Sequence, residues 1–388
     1  MSNKFIPYGH QYIEKDDIDE VLKVLRSDWI TQGPKVKEFE DVLCKYTGAK
    51  YAVCVCNATA ALHLACIAAG INKGDEVITS PITFVATANS NIYCGGTPVF
   101  ADIQADTVNV DPVEIKKKIN KKTKAIIPVH FAGHPCDLEE IYEIAGKHNL
   151  VVIEDASHAL GAEYRGSKIG SCKYSDMTVF SFHPVKLITT GEGGAILTNR
   201  KDLYEKLLIL RNHGITKDKS KLISVNKLTD GDWYYEMQDL GFNYRLTDFQ
   251  CAMGINQLKK LDSFIKKRKK IVDIYNSAFS NNNNFILPIK RPEIKSAWHI
   301  YYLRLKKSHK RLRLFNYLRE KKIGCQIHYI PVYLQPYYRK KFRYRNGLCP
   351  KAENYYQQTI TLPLYPHLIN SEIYYIIKTV KTFNYEYN

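Results

Sequence analysis

An aspartate, a serine and a lysine are spaced along this chain so that they could share one reaction. Asp155 ends the run Leu150-Val151-Val152-Ile153-Glu154-Asp155, whose apolar start reads as a buried strand. Open α/β sheets bind ligands beyond the carboxyl ends of such strands. Lys186 closes Ser181-Phe182-His183-Pro184-Val185-Lys186, again just after an apolar run, and Thr189-Thr190-Gly191-Glu192-Gly193-Gly194 follows it. A lysine amine that is unprotonated part of the time condenses with carbonyl groups and then serves as acid and base. The Ser181 hydroxyl can donate to a phosphate, and the glycines let the backbone turn tightly beside a ligand.

The carboxylate narrows the chemistry. Set against a pyridine nitrogen, Asp155 would keep that nitrogen protonated and the ring able to accept electrons, as pyridoxal 5'-phosphate requires. Taken alone, Asp155 serves equally well as the cap of a following helix. In Cys56-Asn57-Ala58-Thr59-Ala60-Ala61-Leu62, small residues open a helix. Its free N–H groups, its dipole and the Thr59 hydroxyl suit a phosphate, although a plain N-cap also explains them. Phe84, in Thr83-Phe84-Val85-Ala86-Thr87, offers a ring that could stack on a pyridine or simply pack in a core. His130 and His134 lack convergent partners, so no metal site is expected. The glycines near Gly191 have neither dinucleotide nor P-loop spacing, and no Gly-x-Ser-x-Gly elbow occurs.

Alternating strands and helices must position these groups. Strands are expected at 51–56, 76–80, 97–101, 125–130, 150–154, 177–181 and 194–198. Helices are expected at 58–69, 83–94 and 138–148. Near the N-terminus, Asp16–Arg26 has helical spacing, with Ile18, Val21, Leu22 and Leu25 on one face, and Val36–Tyr46 reads as a second helix. The pattern implies an α/β fold with a mainly parallel seven-stranded sheet and helices on both faces. A long helix from about Thr247 leads to a smaller C-terminal α+β domain with strands at Tyr301–Leu305 and Cys325–Tyr329 and a helix at Arg311–Glu320. The boundary falls near residue 260, giving domains 1–260 and 261–388.

Composition sets the outer limits. The chain has 388 residues, 45% hydrophobic and 24% charged, which suits a globular protein with a substantial core. A net charge of +17 favours anionic partners, with Lys266–Lys270 and Arg339–Lys341 carrying much of it. No nucleic-acid fold signature accompanies the charge, so no nucleic-acid partner is expected. The apolar stretch Tyr51–Ile71 is interrupted by Asn57, Thr59 and His63, and no membrane partner is expected. Ten dispersed cysteines without a CxxC pair, and Met1–Phe5 without an apolar signal core, point to a cytoplasmic protein with reduced thiols.

Taken in order, these motifs resemble those of the DegT/DnrJ/EryC1/StrS nucleotide-sugar aminotransferases, fold-type I enzymes dependent on pyridoxal 5'-phosphate. The resemblance rests on Ala58–Leu62, Thr83–Thr87, Glu154-Asp155-Ala156-Ser157-His158-Ala159, Ser181–Lys186, Gly191–Gly194 and Gly241-Phe242-Asn243-Tyr244-Arg245. It implies that Lys186 holds the cofactor as a Schiff base and that Asp155 partners the pyridine nitrogen. His158 would lie near the phenolic oxygen, where many relatives have Gln. Ala58, Thr59 and Ser181 would hold the phosphate, with Asn243 reaching it from the other protomer of a homodimer, and Phe84 would stack on the ring. Tyr8, the loop Trp29-Ile30-Thr31, and His328-Tyr329 match substrate-contacting stretches, while Ile330 stands where a relative can carry a polar residue. A dehydrating branch of the family has histidine in place of the lysine, so Lys186 implies amino transfer. Residues 154–161, 181–186 and Pro7-Tyr8 are most similar to the branch that makes pseudaminic acid precursors. That branch aminates C4 of a UDP-linked 4-keto-6-deoxy amino sugar, with glutamate as amino donor. Another nucleotide-linked ketosugar, with dTDP or GDP or with amination at C3, is the nearer alternative. A non-enzymatic regulator built on the same fold is the more distant one.

Overall fold

In the computed structural model, residues 5–224 and 231–385 are described. The first four residues, part of the stretch read above as lacking an export signal, lie outside them. The apolar runs form seven strands: β1 (Tyr51–Val55), β2 (Glu76–Thr79), β3 (Thr97–Phe100), β4 (Thr123–Ile127), β5 (Val151–Asp155), β6 (Met177–Ser181) and β7 (Gly194–Thr198). They pair in the order β1-β7-β6-β5-β4-β2-β3, and β7 runs antiparallel to both of its neighbours. The runs lack hydrophobic–polar alternation because both faces are covered. Cys54, Ile78, Ile126, Val152 and Phe180 face one core, while Val53, Val77, Ala125, Ile153 and Val179 face another. Successive side chains point to opposite sides of a strand, so both sets must be apolar.

Helix α1 (Lys15–Leu25) meets the long helix α5 (Asp248–Phe279) through a polar contact. The buried Asp17 carboxylate accepts from Asn256, Gln257 and Lys260 at 2.8–2.9 Å. Those bonds turn the apolar ridge Ile18, Leu22 and Leu25 to solvent. The periodicity that marks the helix therefore does not mark the face it buries. The intervening helices that serve the site are α2 (Pro34–Thr47), α3 (Ala58–Ala68) and α4 (Val85–Tyr93).

Position 260, expected as a domain boundary, lies inside α5. Cys251, Ile255, Leu258 and Leu261 belong to the sheet's core. Ile271, Val272, Tyr275 and Phe279 belong to a second core with Tyr301, Leu303, Ile360 and Leu362. That second core covers an antiparallel sheet of β8 (Phe285–Ile286), β9 (Tyr301–Leu305) and β10 (Thr359–Leu362). The strand expected at Cys325–Tyr329 does not form. One bridge joins Gln326 to Thr361, after which His328 bonds through Nδ1 to Thr361 Oγ1 at 2.9 Å and Tyr329 turns toward the sheet's carboxyl edge. A further cluster joins Ile82, Phe100 and Phe131 to Tyr302, Tyr333 and Tyr355, so residues near the large sheet pack against the C-terminal part of the chain. Among the described residues, no helix is long and apolar enough to cross a membrane.

Candidate active site

The carboxyl ends of the central strands open into a cavity of about 740 Å³, within the usual range for small-molecule sites. Asp155, the last residue of β5, is buried at its floor. Its Oδ1 accepts from the Ser157 N–H at 3.1 Å and its Oδ2 from the Thr87 hydroxyl at 2.6 Å. Thr87 Oγ1 lies 2.7 Å from Thr83 Oγ1, four residues earlier and just before α4. The carboxylate is thus aimed and held by two donors.

Lys186 borders the same cavity, part-buried, with its backbone N–H donating to His183 O at 2.9 Å. Burial lowers its amine from the ordinary 10.5 to about 8, and the opposing attraction of Asp155 only partly offsets this. At neutral pH roughly a tenth of the amines are then neutral and able to act as nucleophiles.

Gly194 opens β7 opposite Ser181, and a side chain there would lie 2.7 Å from Ala58 N. Only glycine allows α3 to press its first turn against the sheet beside Ser181. Asn57 caps α3 by accepting from Ala60 N–H at 2.8 Å. The N–H groups of Ala58 and Thr59 have no intrahelical acceptor, and with the Ser181 hydroxyl they form a cradle for a dianion.

The C-terminal part of the chain supplies the opposite wall. Tyr329 OH lies 3.3 Å from His158 Nε2, and the Tyr329 ring is 6.5 Å from that of Phe84, which is 59% exposed at the mouth. Tyr8 packs at 5.5 Å on His328. His328 is lowered to about 3 by burial and then by Lys186. His158 is held well below its ordinary value by burial, then by Lys186 and His328. Neutral imidazoles therefore surround the lysine. His158 Nδ1 is buried without a hydrogen-bond partner among the described residues.

The match to the model of the DegT/DnrJ/EryC1/StrS aminotransferase family spans residues 11–381. The chain belongs to this family. It is 42% identical over 383 residues to the spore coat polysaccharide biosynthesis protein SpsC of Bacillus subtilis, covering 98% of this chain and 97% of the relative. It is 40% identical over 371 residues to the UDP-4-amino-4,6-dideoxy-N-acetyl-beta-L-altrosamine transaminase of Campylobacter jejuni, covering 94% and 93%. Among solved structures, Helicobacter pylori PseC, an aminotransferase involved in pseudaminic acid biosynthesis, superimposes with a TM-score of 0.89 at 34% identity, covering 97% and 98%. The putative sugar aminotransferase Spr1654 of Streptococcus pneumoniae in its PLP form gives 0.89 at 33% identity, covering 97% and 98%. The chain is a nucleotide-sugar aminotransferase of fold type I, dependent on pyridoxal 5'-phosphate.

The residues present fit that cofactor. A carboxylate, an amine of lowered basicity, a helix N-terminus beside a serine, and an unpartnered buried His158 Nδ1 surround one cavity, matching a pyridinium, a formyl group, a phosphate and a phenolic oxygen. Lys186, Asp155, Ala58, Thr59, Phe84, His158, Ser181, Tyr8, His328 and Tyr329 all line it, as does Ile330. Trp29, Ile30, Thr31 and Asn243 do not line the cavity of their own chain. Ile30 O accepts from Asp248 N–H at 3.0 Å and Thr31 bridges Thr247, which ties this aminotransferase's loop to the start of α5. Trp29 and Ile30 are left exposed, and exposed Asn243 bridges Asn212.

Thr87 and His299 are the residues that sequence reasoning missed. Thr87 had a signal: a helix over 83–94, as expected from the sequence, sets it four residues after Thr83 on one face, although α4 itself begins only at Val85. We expect Thr87→Val to leave Asp155 Oδ2 short of a donor and to destabilise the protein by about 1–3 kcal/mol. Urea unfolding measures this, and a change below about 0.5 kcal/mol would mean the bond contributes nothing to stability. His299 gave no signal, because it reaches the cavity from a segment far along the chain from the other lining residues of the sheet. Among the described residues, no group of three or more His, Cys, Asp or Glu side chains gathers as a metal site. His130 Nε2 instead bonds the buried Glu154 at 2.7 Å, and His134 lies beside Asn109 and Pro135 O.

Proposed function

We propose that the enzyme transfers the amino group of glutamate to C4 of UDP-2-acetamido-2,6-dideoxy-β-L-arabino-hex-4-ulose, a step of pseudaminic acid biosynthesis. The observation that carries amino transfer is the Lys186 amine, lowered to about 8, in one cavity with the Asp155 carboxylate. The choice of sugar is supported by the names of the Campylobacter relative and the Helicobacter structure. SpsC, more similar at 42% identity and named for a spore polysaccharide, favours a second reading in which another nucleotide-linked ketosugar is aminated.

Pyridoxal phosphate, when bound, supplies a sink for the electrons left on carbon after a proton departs. Lys186 would hold it covalently until the glutamate amine displaces the lysine, and the freed amine would then take the proton from the α-carbon of glutamate and later return a proton to C4 of the sugar. Asp155 would hold the pyridine nitrogen protonated. Ala58, Thr59 and Ser181 would bind the phosphate, Phe84 would cover the ring face, and His158 would donate toward the phenolic oxygen. Tyr8, His328 and Tyr329 border the sugar. In this reading a homodimer completes the site, with Asn243 and the loop Trp29-Ile30-Thr31 serving the cavity of the other protomer.

Amination of UDP-, dTDP- and GDP-linked 4-keto-6-deoxy sugars, followed by mass spectrometry of the products, tests this. Fastest turnover of the UDP-linked acetamido sugar is expected. A preference for dTDP or GDP would replace the substrate and leave amino transfer standing, whereas no amination of any sugar would remove the reading altogether. The lowered amine also predicts a pH dependence. Only neutral Lys186 can attack, so covalent capture of pyridoxal phosphate by the cofactor-free protein should rise with pH and level off above about 8. Stopped-flow absorbance measures it, and a rate still climbing in proportion to hydroxide up to about pH 10 would indicate an ordinary lysine.

A further inference from the structure

His299 lies just before β9 and is buried. Its ring centroid is 4.2 Å from that of His158, with 40° between the planes. The backbone behind it is pinned from two directions. His299 N–H donates to Ala132 O at 3.0 Å, and His299 O accepts from Arg268 Nη1 at 2.9 Å. Arg268, on α5, is itself fully buried and also holds Leu364 O at 2.9 Å. At Gly133, with φ +88°, a side chain would lie 2.8 Å from Trp298 N and 2.9 Å from His158 O. The two segments therefore touch backbone to backbone, and this close approach sets the imidazoles in tilted contact.

His158, by contrast, is loosely tethered. Among the described residues, its ring bonds only through Nε2, to Tyr329 OH at 3.3 Å, and its Nδ1 has no partner. A ring held by one long bond keeps its orientation only if something packs against it; of the rings around His158, His299 at 4.2 Å lies nearer than Tyr329 at 6.2 Å and Phe131 at 6.4 Å. The Nδ1 of His299 is also buried without a partner, so the residue offers a flat face and no hydrogen bond of its own through that atom.

We propose that His299 is a positioning residue of the aminotransferase, which holds the His158 imidazole in register with the cofactor's phenolic oxygen across the domain boundary. This rests on reading the cavity as the cofactor site. The contact joins the segment before β9, held by Arg268 of α5 and by Ala132, to the residues that follow β5.

The test uses His299→Ala, His299→Phe, His158→Asn and the double variant His158→Asn/His299→Ala, each loaded with pyridoxal phosphate. Three quantities are read: the visible absorbance band of the bound cofactor, its pH titration, and kcat against KM for the sugar. His299→Ala should shift the band and its titration and lower kcat about tenfold or more, with KM for the sugar within about twofold. His299→Phe, which restores an aromatic face, should recover most of both. In the His158→Asn background, His299→Ala should add less than about twofold, since its effect passes through His158. Additive losses in the double variant, or a His299→Ala protein with the wild-type band and kcat, would overturn the proposal. If His299→Ala fails to fold, His299→Phe decides: a wild-type band supports the proposal and a displaced one refutes it. Failure of the wild-type protein to bind the cofactor would instead strike the reading of the cavity.

Discussion

Lys186→Ala is expected to retain pyridoxal phosphate while losing turnover by at least about 10⁴-fold, the upper range for removing a positioned acid–base group. Binding survives because most of the cradle lies elsewhere. The first turn of α3, the Ser181 hydroxyl and the Asp155 carboxylate remain where β5, β6 and Gly194 place them. Catalysis is lost because, among the described residues, no other amine borders the cavity. The remaining titratable neighbours are Tyr8, Asp155, Glu192, Tyr329 and the imidazoles of His158, His183, His299 and His328. His158, His299 and His328 are held neutral by burial. Gel filtration followed by absorbance measures cofactor retention, and product formation measures turnover. Small primary amines added to the variant should restore part of the rate, because the missing function is proton transfer by an amine. Activity within about tenfold of wild type would remove Lys186 from the mechanism.

Asp155→Asn should lower kcat by about 10²–10³-fold, the range seen when one preorganised electrostatic group is removed. The change is nearly isosteric. The amide oxygen of the substituted side chain would still accept from the Ser157 N–H, and Thr87, relieved of its carboxylate, can accept from the new amide N–H. Folding is therefore preserved, and the loss reports charge rather than collapse. Without a carboxylate beside it, the pyridine nitrogen is not held protonated and the ring draws electrons less strongly. Thr87→Val, which keeps the charge and removes one of its donors, should cost less activity than Asp155→Asn. An Asp155→Asn enzyme as active as Thr87→Val would show that the negative charge is not what the site uses.

The sheet was readable from the chain because each strand is buried on both faces and so appears as a short apolar run. β9 at Tyr301–Leu305 and the helix Arg311–Glu320 keep the bounds that their patterns suggest. Elsewhere local pattern misled. Cys325–Tyr329 has the composition of a strand, but His328 and Tyr329 are used on the cavity wall and only Gln326 pairs. The apolar ridge of α1 reads as a buried face, yet Asp17 and its three donors from α5 occupy the contact instead. A polar contact between helices so far apart in the chain leaves no periodic trace.

Which chemical groups the protein owns, and how close neighbours are arranged, is written in the chain alone. Lys186 comes five residues after Ser181, Asn57 caps the helix that carries Ala58 and Thr59, and Thr87 lies four residues beyond Thr83. These are short-range relations, set by strand and helix geometry. Packing decided whatever needs two distant segments at once. It brought His299 and Tyr329 against His158, turned Trp29 and Asn243 away from their own cavity, and set the amine of Lys186 to about 8. The lowered amine illustrates the reason: desolvation is a property of everything packed around a group, and no spacing within one stretch of chain encodes it.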